Sequence, residues 1–175
     1  RSAIAVLQGA KNLRVVRVTA GSPTAATATL KDGANATGVT LTSRYVGSGG
    51  NEIQGVVSAG SKNGTYKVTV SKAGRVTEVF DNLVQPGSPT VSDNIWVNIA
   101  NAINLGQDGL RGPSDMVVAS VGAITTVPAL ASFTLAAGTD GTTPTQAQLV
   151  PSVEGSPRAG IWALRGTGAQ VVCVA

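Results

Sequence analysis

The chain has 175 residues, 42% hydrophobic, 13% charged and 3% aromatic, so it holds enough apolar material for a folded core with about half the charge of a typical soluble domain. It has no histidine, which excludes His-based nucleophile triads, His general bases and His metal ligands, and its single cysteine, Cys173, excludes an internal disulfide or a thiolate cage. Thirteen Lys and Arg against nine Asp and Glu give a net charge of +4, but the basic residues are scattered and none is interleaved with rings for base stacking, which argues against nucleic acid as a partner.

Ala3, Ile4, Val6, Leu7 and Ala10 share one face of a short helix ending near Gly9 or Asn12, and 13–19 follows with strand composition. Gly21-Ser22-Pro23 then breaks the chain. From Thr24 to Leu83 the vocabulary is Thr, Val, Ser, Gly and Asn with closely spaced turn signals, which predicts an antiparallel β unit. Its strands fall at 26–31, 39–43, 53–59, 65–70 and 75–80, with a turn at Asp32-Gly33 and connections at Ser61-Lys62-Asn63-Gly64 and Ser71-Lys72-Ala73-Gly74. Tyr66, Val68 and Val70 alternate with Lys67 and Thr69, giving the middle strand one buried and one wet face.

After Gln85-Pro86-Gly87-Ser88-Pro89 the composition changes. Ser92 or Asp93 fits as the N-cap of a helix running to Asn104, with Ile95, Ile99, Ala102 and Ile103 on one face beside Trp96, and Gly106 is a natural stop. Runs 116–120 and 133–137 have the composition of buried strands, and Thr143-Pro144 opens a short helix limited by Pro151. Apolar stretches 161–164 and 171–174 close the chain and place Cys173 in a buried strand. Helices alternating with apolar strands imply an α/β layer with a mostly parallel sheet. The expected organisation is thus a mixed α+β fold with an α/β lead-in at 1–23, an antiparallel β module at 24–85 and a partial α/β domain at 86–175. Residue 1 is not Met and both ends fall inside element patterns, so the chain reads as a piece of a longer polypeptide. No apolar run approaches the roughly 20 residues of a membrane span.

The motifs are mostly structural. Gly47-Ser48-Gly49-Gly50 lacks the third glycine of a dinucleotide fingerprint, no phosphate-loop pattern occurs, and Gly166-Thr167-Gly168 precedes a strand instead of a helix. The nine carboxylates are spread thinly without a calcium-loop spacing, so Asp32 and Asp140 suit turns and Asp93 a helix start. Neither S-x-x-K nor G-x-S-x-G is present, and the glycosylation triplets at Asn35 and Asn63 carry no weight. No residue is assigned to catalysis, a cofactor or a metal. The densest basic group, Lys62, Lys67, Lys72 and Arg75, has no acid between its ends. It reads either as a solvated strand face or as a contact surface for an acidic partner.

Five stretches, in order, carry a resemblance: Val15-Val16-Arg17-Val18; Tyr45-Val46-Gly47-Ser48-Gly49-Gly50-Asn51; Gly74-Arg75-Val76-Thr77-Glu78-Val79-Phe80-Asp81-Asn82-Leu83; Leu135-Ala136-Ala137-Gly138-Thr139-Asp140-Gly141; and Gly160-Ile161-Trp162-Ala163-Leu164-Arg165. Together they resemble the tail sheath proteins of contractile-tailed phages, with the departure that Val46 and Gly49 stand where the family loop often has Pro and an aromatic. The resemblance implies a β-sandwich-like module inserted in a partial subtilisin-like α/β core that is not a protease. It implies a structural subunit that polymerises in stacked rings around a tail tube protein and contracts to drive the tube through the host envelope. It further implies assembly in the host cytoplasm, residence in the virion, no cofactor, no direct nucleic-acid contact and no stable membrane insertion, with Lys62, Lys67, Lys72 and Arg75 as the candidate subunit-contact surface. The alternative is a carbohydrate- or surface-binding β module of a tail fibre or adhesin, which would need exposed rings among Trp96, Trp162, Tyr45, Tyr66, Phe80 and Phe133.

Overall fold

Threonines alternate with Leu30, Val39 and Leu41 in the first two strands, so each turns an apolar edge inward and a hydroxyl-rich one outward. In the computed structural model, which describes residues 16, 18 and 20–167, these strands are β1 (Thr27–Lys31) and β2 (Thr37–Ser43), antiparallel with Ala28 opposite Leu41. The turn between them is held by Asp32, whose carboxylate accepts from the backbone N–H of Ala34 and Ala36 at 2.9 and 2.8 Å, while Asn35 adopts φ 67°.

Next come β3 (Gln54–Ala59), β4 (Thr65–Ser71) and β5 (Glu78–Val84), an antiparallel meander as the alternation predicts. The third of these strands starts later than expected and reaches further. Arg75 N–H closes a turn on the Lys72 carbonyl, which keeps 72–75 out of the sheet. Asp81 and Asn82 then bulge opposite Lys67, with Asn82 at φ 58°, and the strand continues beyond them to Val84.

Both sheets are completed by strands from beyond Gln85. β6 (Val117–Val121) pairs antiparallel with β2, and β7 (Ser132–Thr134) pairs antiparallel with β3. The sheet orders are β1-β2-β6 and β5-β4-β3-β7, and every named pairing among the described residues is antiparallel. This corrects the mostly parallel α/β layer expected after residue 86. The apolar run at 116–120 is an edge strand with only Met116 and Val117 buried, and a short apolar run carries no information about strand direction. The compact unit is accordingly Pro23–Asp140, which differs from a division at 85/86.

The segment 132–139 joins the two sheets. Its first residues pair with β3, then Ala136 and Thr139 pair with Thr27 and Thr24 alongside β1. The opposite seam, between β5 and β6, is closed by helix α1 (Ile95–Leu105), which packs on both strands and buries Ile95, Trp96, Ile99, Ala100, Ala102 and Ile103. These residues share one core with Leu41, Val68, Val70, Phe80 and Phe133. The N-cap is Asn94 instead of Ser92 or Asp93: its Oδ1 accepts from Trp96 and Val97 N–H at 2.9 and 3.2 Å. Gly106, at φ 89°, ends the helix as expected.

The second unit, described by itself, joins Ala20 to Thr142 through a bridge and contains helix α2 (Gln146–Leu149) and a 3₁₀ turn at Gly160–Leu164. The 3₁₀ turn stands where a strand was expected at 161–164. Its tryptophan is fixed by Trp162 Nε1 donating to the Pro151 carbonyl at 3.0 Å. Helix α2 begins later than expected, with Thr145 as its N-cap and Pro144 outside it instead of at the first helical position, and the Thr145 N–H donates to Gln148 Oε1 at 2.8 Å. Glu154 is paired with Arg158 and Arg165. The helix expected at 3–10, most of the strand at 13–19, the strand at 171–174 and Cys173 lie outside the described residues.

Candidate functional site

The basic group is distributed along β4 and does not converge. Lys62 is exposed in the β3–β4 connection, Lys67 is half-buried in mid-strand opposite Ser58, and Lys72 and Arg75 occupy the β4–β5 connection at the far end. Lys72 is engaged internally, its Nζ 3.4 Å from Glu52 and donating to the Gly49 carbonyl at 2.5 Å, so it tethers the 3₁₀ turn Ser48–Glu52. Lys62 and Arg75 are the exposed pair, at opposite ends of a seven-residue strand. Residues close in sequence separate here because two hairpin turns hold three of them.

Several carboxylates hold loops and strand ends in place. Asp81, on the β5 bulge, accepts from Ser61 Oγ at 2.5 Å and Ser61 N–H at 2.9 Å, and Asn82 Oδ1 accepts from Lys62 N–H at 2.9 Å. The bulge thus caps the tip of the neighbouring hairpin. Hydrogen bonds from Ser61 hold the Asp81 carboxyl below its ordinary pKa, with Lys67 adding a smaller electrostatic pull. Asp32 is lowered in the same way, first by Thr126 Oγ1 at 2.5 Å and then by the turn amides. Buried Glu78 accepts from Ser114 Oγ and Asp115 N–H at 2.5 and 2.7 Å, with the Arg111 guanidinium 3.6 Å away and stacked 4.4 Å from the Phe80 ring centre. Asp140 accepts from Ser48. Among the described residues no three His, Cys, Asp or Glu side chains are grouped to hold a metal.

Aromatic side chains are mostly interior. Trp96 and Phe80 are fully buried, Phe133 is buried, and Tyr66 and Trp162 are half-buried, leaving Tyr45, 75% exposed, as the one largely accessible ring among the described residues. A sugar-stacking platform of several rings is not assembled there.

What the structure does assemble is a pair of hydroxyl-rich sheet faces, whose charged members are Lys31 at the end of β1 and Lys67 within β4. Outward positions of the three-stranded sheet align as Thr27, Thr42, Val118 and as Thr29, Thr40, Ser120. On the other sheet the outward rows are Ser132, Val56, Thr69, Val79 and Thr134, Gln54, Ser71. The named rows themselves carry no charge, so covering them with another protein avoids stripping water from an ion, the main penalty of burying polar surface. The sequence signal was present as threonine at alternating positions, but the rows appear only once register is known.

No protein-family model matches the chain, and no curated protein matches it. Among solved structures it is similar to a sheath tail protein from Desulfitobacterium hafniense. The likeness has 20% identity and a TM-score of 0.40, and covers 75% of this chain and 24% of that one. The chain therefore spans about a quarter of the length of that protein.

Proposed function

We propose that the chain is part of the subunit of a contractile phage tail sheath, a structural protein that assembles with copies of itself around a tail tube. The observation that carries this reading is the pair of hydroxyl-rich sheet faces with uncharged aligned rows, on a unit in which Asp32, Glu52, Glu78, Asp81 and Asp140 are engaged in hydrogen bonds or ion pairs. A subunit of a stacked array needs extended surfaces that can be covered, and these rows supply them. The ordered resemblance of five sequence stretches gives the reading its particular family. On it, the remainder of the full protein completes the subtilisin-like core, the tube protein is the partner, and the virion is the destination. Contraction is then a change between two packings of the same subunits.

The full-length protein, concentrated under several salt conditions and imaged by negative-stain electron microscopy, should form rings or tubes. Monomers and small oligomers alone under every condition would overturn the reading. Specific binding on a glycan array that is lost in Tyr45→Ala would move the assignment to a surface-binding module.

A further inference from the structure

Three side-chain amides perform the same unusual task. Asn104 Nδ2 donates to the Ala119 carbonyl at 2.8 Å while its Oδ1 accepts from Ala119 N–H at 2.9 Å. Gln107 Nε2 donates to the Asp81 carbonyl at 2.8 Å while its Oε1 accepts from Asp81 N–H at 3.2 Å. Asn51 does the same with Gly138, at 3.0 and 2.8 Å. In each case one amide exchanges both hydrogen bonds with the N–H and C=O of a single residue, as a partner strand does at a hydrogen-bonded antiparallel pair.

The first two sit on the strands bordering the seam. β6 bonds to β2 through Thr40, Thr42 and their opposites Ser120 and Val118, so Val117, Ala119 and Val121 turn their backbone groups to the free edge. There the Val117 N–H is taken by Ser114 Oγ at 3.0 Å and both Ala119 groups by Asn104. On β5, Gln107 takes both Asp81 groups and Asn98 Nδ2 donates to the Val84 carbonyl at 2.8 Å. Asn98, Asn104 and Gln107 all come from α1 or the residues just beyond it, and α1 carries no charged side chain. Asparagine is a weak helix former, so its use at 98 and 104 calls for a compensating role.

We propose that Asn104 and Gln107 are edge blocks: they occupy the hydrogen-bonding positions of β6 and β5 and keep these edges from pairing with the edge of a second copy of this chain. An open strand edge is a template for such pairing, and burying it under a helix without partners would leave backbone groups unsatisfied. The amides solve both problems at the same atoms.

The test is the double variant Asn104→Leu, Gln107→Met, which keeps side-chain bulk and removes both pairs of hydrogen bonds. Hydrogen exchange at the amides of Ala119 and Asp81 should quicken at least about tenfold in dilute solution, because each loses its acceptor. Light scattering after size exclusion should show concentration-dependent dimers absent from the wild type, with protection returning at those two amides as dimers form. Faster exchange without any gain in association, or association that leaves both amides unprotected, would overturn the proposal and leave the amides as intramolecular ties. Should the double variant not fold, Gln107→Met alone, placed beyond the helix, carries the same reading at Asp81.

Discussion

The two sheets reach a similar architecture by different routes. In the four-stranded sheet three strands follow one another through short turns, so its pairing is largely local. In the three-stranded sheet β6 arrives long after β2, and the helix that seals it has to come first. Each sheet nevertheless uses a glycine where a strand passes beneath a ring. A Cβ at Gly38 of β2 would overlap the Trp96 indole, and one at Gly55 of β3 would overlap the Thr69 carbonyl and the Phe133 ring. The glycine of the locally paired sheet faces a backbone carbonyl of its own neighbour strand, whereas that of the other faces a side chain delivered from a distant helix.

That contrast is open to mutation. The largest effect is expected from Trp96→Ala, which empties the contact on which the three-stranded sheet rests and should cost about 4 kcal/mol in urea unfolding. Gly38→Ala and Gly55→Ala should each cost about 3 kcal/mol through overpacking. Their rescue should differ. Adding Trp96→Leu should restore part of the loss at Gly38, because the obstacle is a side chain, and a double-mutant cycle measures the coupling. Adding Phe133→Leu should restore little at Gly55, where a backbone oxygen of β4 also stands in the way. Equal rescue at both sites would erase the distinction between the sheets.

Asn94→Ala should lower stability by about 2 kcal/mol, since it removes the helix cap and leaves the buried Trp96 N–H without its acceptor. Asp93 could not substitute: the capping side chain also donates, from Nδ2 to the Thr90 carbonyl at 2.8 Å, and a carboxylate has no proton to give. Acid should act on both sheets at once. Asp32 closes the β1–β2 turn and Asp81 caps the β3–β4 tip, and both carboxyls are held below the unfolded value. A depressed folded pKa contributes stability above the unfolded pKa that is lost as pH falls through the folded one. Urea midpoints should therefore drop as pH falls from the ordinary carboxylate range downward, and Asp32→Asn with Asp81→Asn should flatten that drop. The smallest effect is a gain: Ala137 sits at φ 64° in the segment joining the sheets, and Ala137→Gly should raise the thermal midpoint, by about 1 kcal/mol in stability.

The meander was legible because alternation and Asn-Gly or Ala-Gly turns specify register locally, and Trp96 was legible as core from its helical spacing. The pairing direction of β6 and β7 was not, because a short, mostly apolar run fits a parallel or an antiparallel neighbour equally well, and only the tertiary fold chooses. The placement of the basic group was hidden for a related reason: spacing in sequence says nothing about which side of a turn each lysine falls on. Lys72 was spent on Glu52 and Gly49, partners that a hairpin brings near. The asparagines of α1 recur at 98, 101 and 104 with Gln107 following, a three-residue rhythm visible in the sequence whose meaning depended on knowing which strand edges lay beside it.

The segment that joins the sheets also fixes a timetable. Thr24 finds its partner Thr139 115 positions later, so when the chain is made from its N-terminus the meander can pair while the β1 side waits. Until 132–139 leaves the ribosome, the outer side of β1 lacks the neighbours it will have in the finished fold. The meander should acquire protection from exchange first, and closure should follow as a slower step set by the distance the chain must search.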